Sequence, residues 1–165
     1  MAYMADYHEP DTRFICDAML GGLAHWLRAA GYDALYKYGI EDDRLLARAA
    51  QEDRIVLSSD GPLFQRNVIK NGDVNALYIP QQLSKFAQLE YVMKKLDLPR
   101  REPRCMSCGG LPVEVHKHEV MSEIPPLAYK NCDRFWRCRR CGKLLWRGTH
   151  WDRIAPRLDE IASQD

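Results

Sequence analysis

The sequence predicts a parallel α/β domain followed by a small β zinc ribbon. Three observations carry this. Short apolar runs that end near a carboxylate alternate with stretches of helical apolar spacing over residues 13–98. A Pro- and charge-rich linker, residues 99–104, interrupts the pattern. Beyond it stand two Cys-x-x-Cys-Gly units, beginning at Cys105 and Cys138.

The elements follow in order. Residues 1–12 read as a polar tail. Arg13 to Cys16 reads as a strand that ends at Asp17. Leu20, Leu23, Ala24, Leu27 and Ala30 have helical spacing, and Gly31 suits the C-cap. Asp33 to Tyr38 reads as a second strand. Asp42 or Asp43 stands at the N-cap position of a helix carrying Leu45, Leu46, Ala49 and Ala50. Arg54 to Ser59 is the clearest strand, with Asp60 at its end and Pro62 opening a turn or short helix. Val74 to Ile79 is a fourth strand, stopped by Pro80. Ser84 caps a last helix with a stripe of Phe86, Leu89, Val92, Met93 and Leu96. The ribbon spans 105–153: Leu111 to Val120 alternates like a strand, and Pro125–Pro126 breaks the chain. Phe135 to Arg137 leads into the second Cys pair, and Lys143 to Trp146 leads out. Residues 154–165 read as a tail or short helix.

Composition excludes several classes. With 165 residues, 46% of them hydrophobic and 28% charged, the chain reads as globular. No apolar run is long enough for a transmembrane helix. The opening MAYMADYHEPDTRF lacks the pattern of a signal peptide, so a cytoplasmic location without membrane attachment is expected. Residues 1–98 hold 11 Lys and Arg against 14 Asp and Glu; residues 99–165 hold 13 against 9. An acidic front joined to a basic back suggests that the back meets a polyanion.

Two thiolates two residues apart can grip one ion from a tight turn, and the following Gly can take positive φ. Cys105, Cys108, Cys138 and Cys141 therefore supply four soft ligands. Their geometry fits Zn²⁺ or an iron–sulfur site, and zinc suits a ribbon of this length. Four cysteines leave no open position, so the zinc is structural. Cys132 reads as an ordinary small buried residue, and His116, His118 and His150 as histidines outside the filled site.

Asp17 and Asp60 each follow a strand, and strand C-termini of an open parallel sheet gather along the edge where ligands bind. Asp42 or Asp43, heading a helix after the second strand, faces the same edge. Converging carboxylates call for a cation, and such oxygen ligands suit Mg²⁺ or Mn²⁺. One or two such ions can bind a phosphodiester and activate a water. The plainer alternatives are a helix cap for Asp42 and a turn for Asp60. Arg28 can reach a phosphate, pair with a carboxylate, or be solvated. Ser58 and Ser59 can bond substrate or merely finish a strand.

The segments FICDAMLGGLAHWLRAAGYDA, DDRLLARAAQEDRIVLSSD, RCMSCGG and FWRCRRCGKLLWRGTHW resemble the Mut-seven C-terminal RNase family. Its members are PIN-like ribonuclease domains followed by a zinc ribbon, and the resemblance covers residues 13–153. It implies a PIN-like three-layer domain and RNA cleavage dependent on Mg²⁺ or Mn²⁺. Carried onto this chain, the acidic positions are Asp17, then Asp42 with Asp43 as rival, then Asp60 in Ser58–Ser59–Asp60. A further acidic residue is common downstream in PIN domains, and only Asp73 is near. The ribbon is similar to nucleic-acid-binding modules. Arg134, Arg137, Arg139, Arg140, Lys143 and Arg147 surround its second Cys pair, with Phe135, Trp136, Trp146 and Trp151 among them. Cations follow phosphates and aromatic faces stack on unpaired bases, although a ribbon needs some aromatics for its core.

The expected partner is RNA, single-stranded or structured. The competing expectation is a non-catalytic module that binds RNA or protein. A phosphate-accepting receiver ranks below both, because Cys16–Asp17–Ala18 offers one acid and Ile79–Pro80 offers no Lys.

Overall fold

A computed structural model describes residues 12–163; the tail expected over 1–12 lies almost wholly outside them. The first unit comprises β1 (Arg13–Cys16), α1 (Gly21–Ala29), β2 (Asp33–Leu35), α2 (Asp42–Glu52), β3 (Ile55–Ser58), a 3₁₀ turn (Gly61–Gln65), α3 (Asn67–Lys70), β4 (Ala76–Tyr78) and α4 (Lys85–Lys95). The strands form one parallel sheet in the order β2-β1-β3-β4. Alternate residues face opposite layers. Phe14, Cys16 and Leu57 pack with Leu23, Leu27, Leu89 and Val92 of α1 and α4. Ile15 and Val56 pack with Leu45, Leu46 and Ala49 of α2. The result is the expected three-layer α/β unit.

Helix ends obey local chemistry. Ser84 caps α4, its Oγ accepting from the Ala87 N–H at 3.3 Å. Gly31 has φ +99°, and a Cβ there would meet the Glu102 carbonyl at 2.7 Å, so only glycine fits. Other ends differ from expectation. Glu41, not Asp42 or Asp43, occupies the α2 N-cap, without a side-chain bond. The two aspartates sit in the first turn, where they favour the helix dipole. The second strand stops at Leu35 because Tyr36 leaves the ladder and its hydroxyl donates to the Ala18 carbonyl at 3.0 Å.

The second unit is an antiparallel sheet of β5 (Pro112–Val115), β6 (Phe135–Cys138) and β7 (Leu144–Trp146). The strand expected over 111–120 ends at Val115, where its pairing with Phe135 runs out. A 3₁₀ segment, Lys117–Glu123, then turns Val120 onto Phe135 and Ile124. Pro126 opens α5 (Pro126–Asn131) rather than only breaking the chain, a position where proline is well suited.

The C-terminal segment departs most. Of the two alternatives for 154–165 the helix forms, but it is longer and starts earlier: α6 (Thr149–Ala162) begins inside the span assigned to the ribbon. Ile154, Leu158 and Ile161 lie on one face and join the core of α1 and α4. The chain therefore leaves the parallel unit, builds the ribbon and returns. Among the described residues, no helix is long and apolar enough to cross a membrane.

Candidate active site

β1 and β3 are neighbours, whereas the chain runs from β1 out to β2 and from β3 out to β4. Connections thus diverge between β1 and β3, which opens a crevice at their C-terminal ends. Asp17 stands there. Its side chain is buried at 8% exposure, and three donors hold it. The Met19 N–H donates to Oδ1 at 2.9 Å, the Ser59 N–H donates to Oδ2 at 3.3 Å, and the Ser58 hydroxyl makes a short bond to Oδ2. The Ser58 Oγ also accepts from the Asp60 N–H at 3.0 Å, so one hydroxyl links the Asp17 carboxylate to the Asp60 backbone. Ser59 Oγ is buried without a hydrogen-bond partner. A buried hydroxyl left without a partner suits a water or a hard cation.

The other expected acids are less gathered. Asp42 and Asp43 are exposed on α2, and Asp43 pairs with Arg66. Asp73 is exposed and lines a shallow groove beside Asp43 and Arg66. Among the described residues, the four cysteines are the one group of three or more acidic, His or Cys side chains close enough to share an ion.

Those cysteines meet at the start of β5 and the β6–β7 turn. Their four sulfurs lie within 4.8 Å of one another, with Cys108 and Cys138 at 3.4 Å and Cys105 and Cys141 at 3.8 Å. A tetrahedral ion with metal–sulfur bonds near 2.3 Å sets its sulfurs about 3.8 Å apart, so the set fits zinc. Burial pushes the Cys108 thiol up to about 12. Burial also opposes the Cys138 thiolate, but the Cys141 and Arg140 N–H groups outweigh it and bring that thiol down to about 7. The Gly110 N–H points at the Cys108 sulfur at 3.4 Å.

Basic residues divide by role. Arg28, expected to reach substrate, is 7% exposed. Its guanidinium donates to the carbonyls of Ala34 at 2.8 Å, Met106 at 3.0 Å and Ser107 at 3.2 Å. This placement assigns it to joining α1 to the first Cys turn. Arg140 bonds the Asp33 carboxylate at 3.1 Å and the Cys108 carbonyl at 2.7 Å, a second tie between the units. Arg137 pairs with Glu123 and Arg147 with Glu102, both at the surface. Arg139 is exposed.

Sequence reasoning missed the Asp33–Arg54 pair at the centre of this joint. Asp33 Oδ2 lies 3.1 Å from Arg54 Nη2, and both side chains are nearly buried. Each flanks an apolar run, the usual place of a solvated strand end, so no local signal marks it.

A model of the family described as Mut7-C RNAse domain matches residues 12–158. A human protein named exonuclease mut-7 homolog is 30% identical over 141 residues, which cover 84% of this chain and 14% of that protein. The chain thus spans a small part of that relative. No solved structure matches the chain.

Proposed function

Because the chain belongs to the Mut7-C RNAse domain family, we propose that it hydrolyses RNA phosphodiester bonds at the Asp17–Asp60 edge, with the ribbon helping to hold the RNA. The observation that carries the reading is the Asp17 carboxylate, buried at a topological switch point and fixed by Ser58, Ser59 and Met19. Fixed charge costs no reorganisation when a reaction develops charge beside it.

Asp17 and Asp60, with the Ser59 hydroxyl, are the oxygen donors that would hold Mg²⁺ or Mn²⁺. Two carboxylates suffice, because Mg²⁺ commonly takes its remaining ligands from water and substrate phosphate. Such an ion, when bound, neutralises charge on the phosphodiester and lowers the pKa of a bound water. Asp42 adds negative charge from the head of α2, with Asp43 as its rival. Ser58 keeps Asp17 oriented and couples it to the Asp60 backbone. Arg137, Arg139 and Arg147 contact flanking phosphates; the pairs of Arg137 and Arg147 are exposed and exchange at little cost. Arg140 stays with Asp33. The Cys105, Cys108, Cys138 and Cys141 set holds structural zinc.

A second reading has an observation of its own. Asp17 is already bonded by three donors and, among the described residues, belongs to no group of three carboxylates close enough to share an ion, as suits a module that binds RNA or a protein without cutting. Labelled single-stranded RNA incubated in Mn²⁺, in Mg²⁺ and without divalent ions separates the two, with zinc content checked throughout. The nuclease reading expects metal-dependent products and a loss of about 100-fold or more in Asp17→Asn. RNA retained but uncut under every condition would leave the binding module.

A further inference from the structure

A cavity lies away from the carboxylate edge, where the ribbon faces α1 and the start of α6. It measures about 510 Å³, within the range of small-molecule sites. Strand pairing explains its floor. Phe135 and Trp146 are opposite one another, with Phe135 in the ribbon core, so Trp136 and its partner Leu145 face the other way. Trp136 therefore belongs to the cavity and not to that core. Trp151, from the first turn of α6, supplies a second indole, and Trp146 lies at the rim with 36% exposure.

A flat cation occupies the space between two of the rings. The Arg147 guanidinium is 5.1 Å from the Trp136 centroid and 5.6 Å from that of Trp151. Its ion-pair partner, Glu102, is 90% exposed, so the carboxylate is replaceable by another anion. Lys143 lines the same cavity and adds a second cation to that one acid.

We propose that this cavity takes one unpaired nucleotide of RNA. The base stacks on Trp136 in the space that the Arg147 guanidinium now fills, and Arg147 and Lys143 turn to its phosphates. Planar slot, indole walls and surplus positive charge match the two halves of a nucleotide. An apolar peptide would use the indoles but gain nothing from the cations. The assignment rests on the reading that RNA is the ligand, and it adds a base-reading subsite remote from the carboxylates.

Fluorescence anisotropy of a labelled twelve-nucleotide RNA tests it, in buffer free of divalent ions and chelators. An abasic strand with the same phosphates runs in parallel. Wild-type protein should bind the base-bearing strand at least about tenfold tighter. Trp136→Ala should reduce it to the abasic level without changing the salt slope. Lys143→Gln, which spares the aromatics, should lower the salt slope by about one and keep the preference for bases. Equal binding of both strands by wild-type protein overturns the subsite while leaving RNA binding intact, and does so even if Trp136→Ala fails to fold. Unchanged affinity in a folded, zinc-loaded Trp136→Ala protein has the same meaning. Absence of RNA binding in wild-type protein, or capture of a peptide instead, overturns both the subsite and the RNA reading beneath it.

Discussion

Asp33→Ala should lower the unfolding free energy by about 3 kcal/mol. The Asp33 side chain is 6% exposed and receives Arg54 and Arg140, each at 3.1 Å. Arg54 is 4% exposed, so removing its carboxylate leaves a buried cation short of a partner. Breaking a buried pair in this way costs about 3–5 kcal/mol. The low end applies, because Arg54 keeps Glu52 at 2.6 Å and the Phe14 carbonyl at 3.1 Å. Arg140 adds little, since its side chain is 44% exposed. With a urea slope of about 2 kcal/mol per molar, the midpoint should fall by about 1.5 M at pH 7. Glu114→Ala is the control. Its pair with Arg134 is exposed on both sides, and its loss should leave the urea midpoint where it is. Acid adds a second readout. Burial opposes ionisation of Asp33, but hydrogen bonds from Arg140 and Arg54 prevail and hold its carboxyl below the ordinary 3.8. Its stabilisation is therefore complete above about pH 4 and lost as pH falls through the folded value, so wild type and Asp33→Ala converge in acid. A midpoint shift under about 0.3 M at pH 7 would refute the buried-pair argument.

Two other expectations concern the ribbon and the returning helix. The protein should hold one equivalent of zinc by metal analysis, and Cys138→Ser should lose it, with Tm falling by about 10 °C or more as the β5–β7 sheet loses its anchor. Retention of full zinc by Cys138→Ser would remove that sulfur from the ligand set. Leu158→Ala should cost about 3 kcal/mol in urea unfolding, because the side chain is 1% exposed in the core shared with α1 and α4. A cost under about 0.5 kcal/mol would mean that α6 is not docked there in solution.

What local pattern can encode was legible in the residues alone. The apolar run Arg13–Cys16 became a strand over those same four residues, and the Ser84 cap appears as written. The two Cys pairs could be matched because a tight turn fixes each pair whatever surrounds it. The α/β rhythm likewise predicted a parallel sheet with Asp17 beyond the first strand. Tertiary structure decided what depends on distant neighbours. No residue in β1 announces that β3 rather than a later strand lies beside it, yet that pairing aims Ser58 at Asp17. Arg28 and Asp33 look like surface charges until residues 104–109 and 140 pack over them. Ile154, Leu158 and Ile161 show a helical stripe, but not the surface that covers it. The reason is physical: dihedral preference, capping and periodicity act over a few residues. Burial and charge pairing are set by contacts that the chain makes only after it has closed loops of tens of residues.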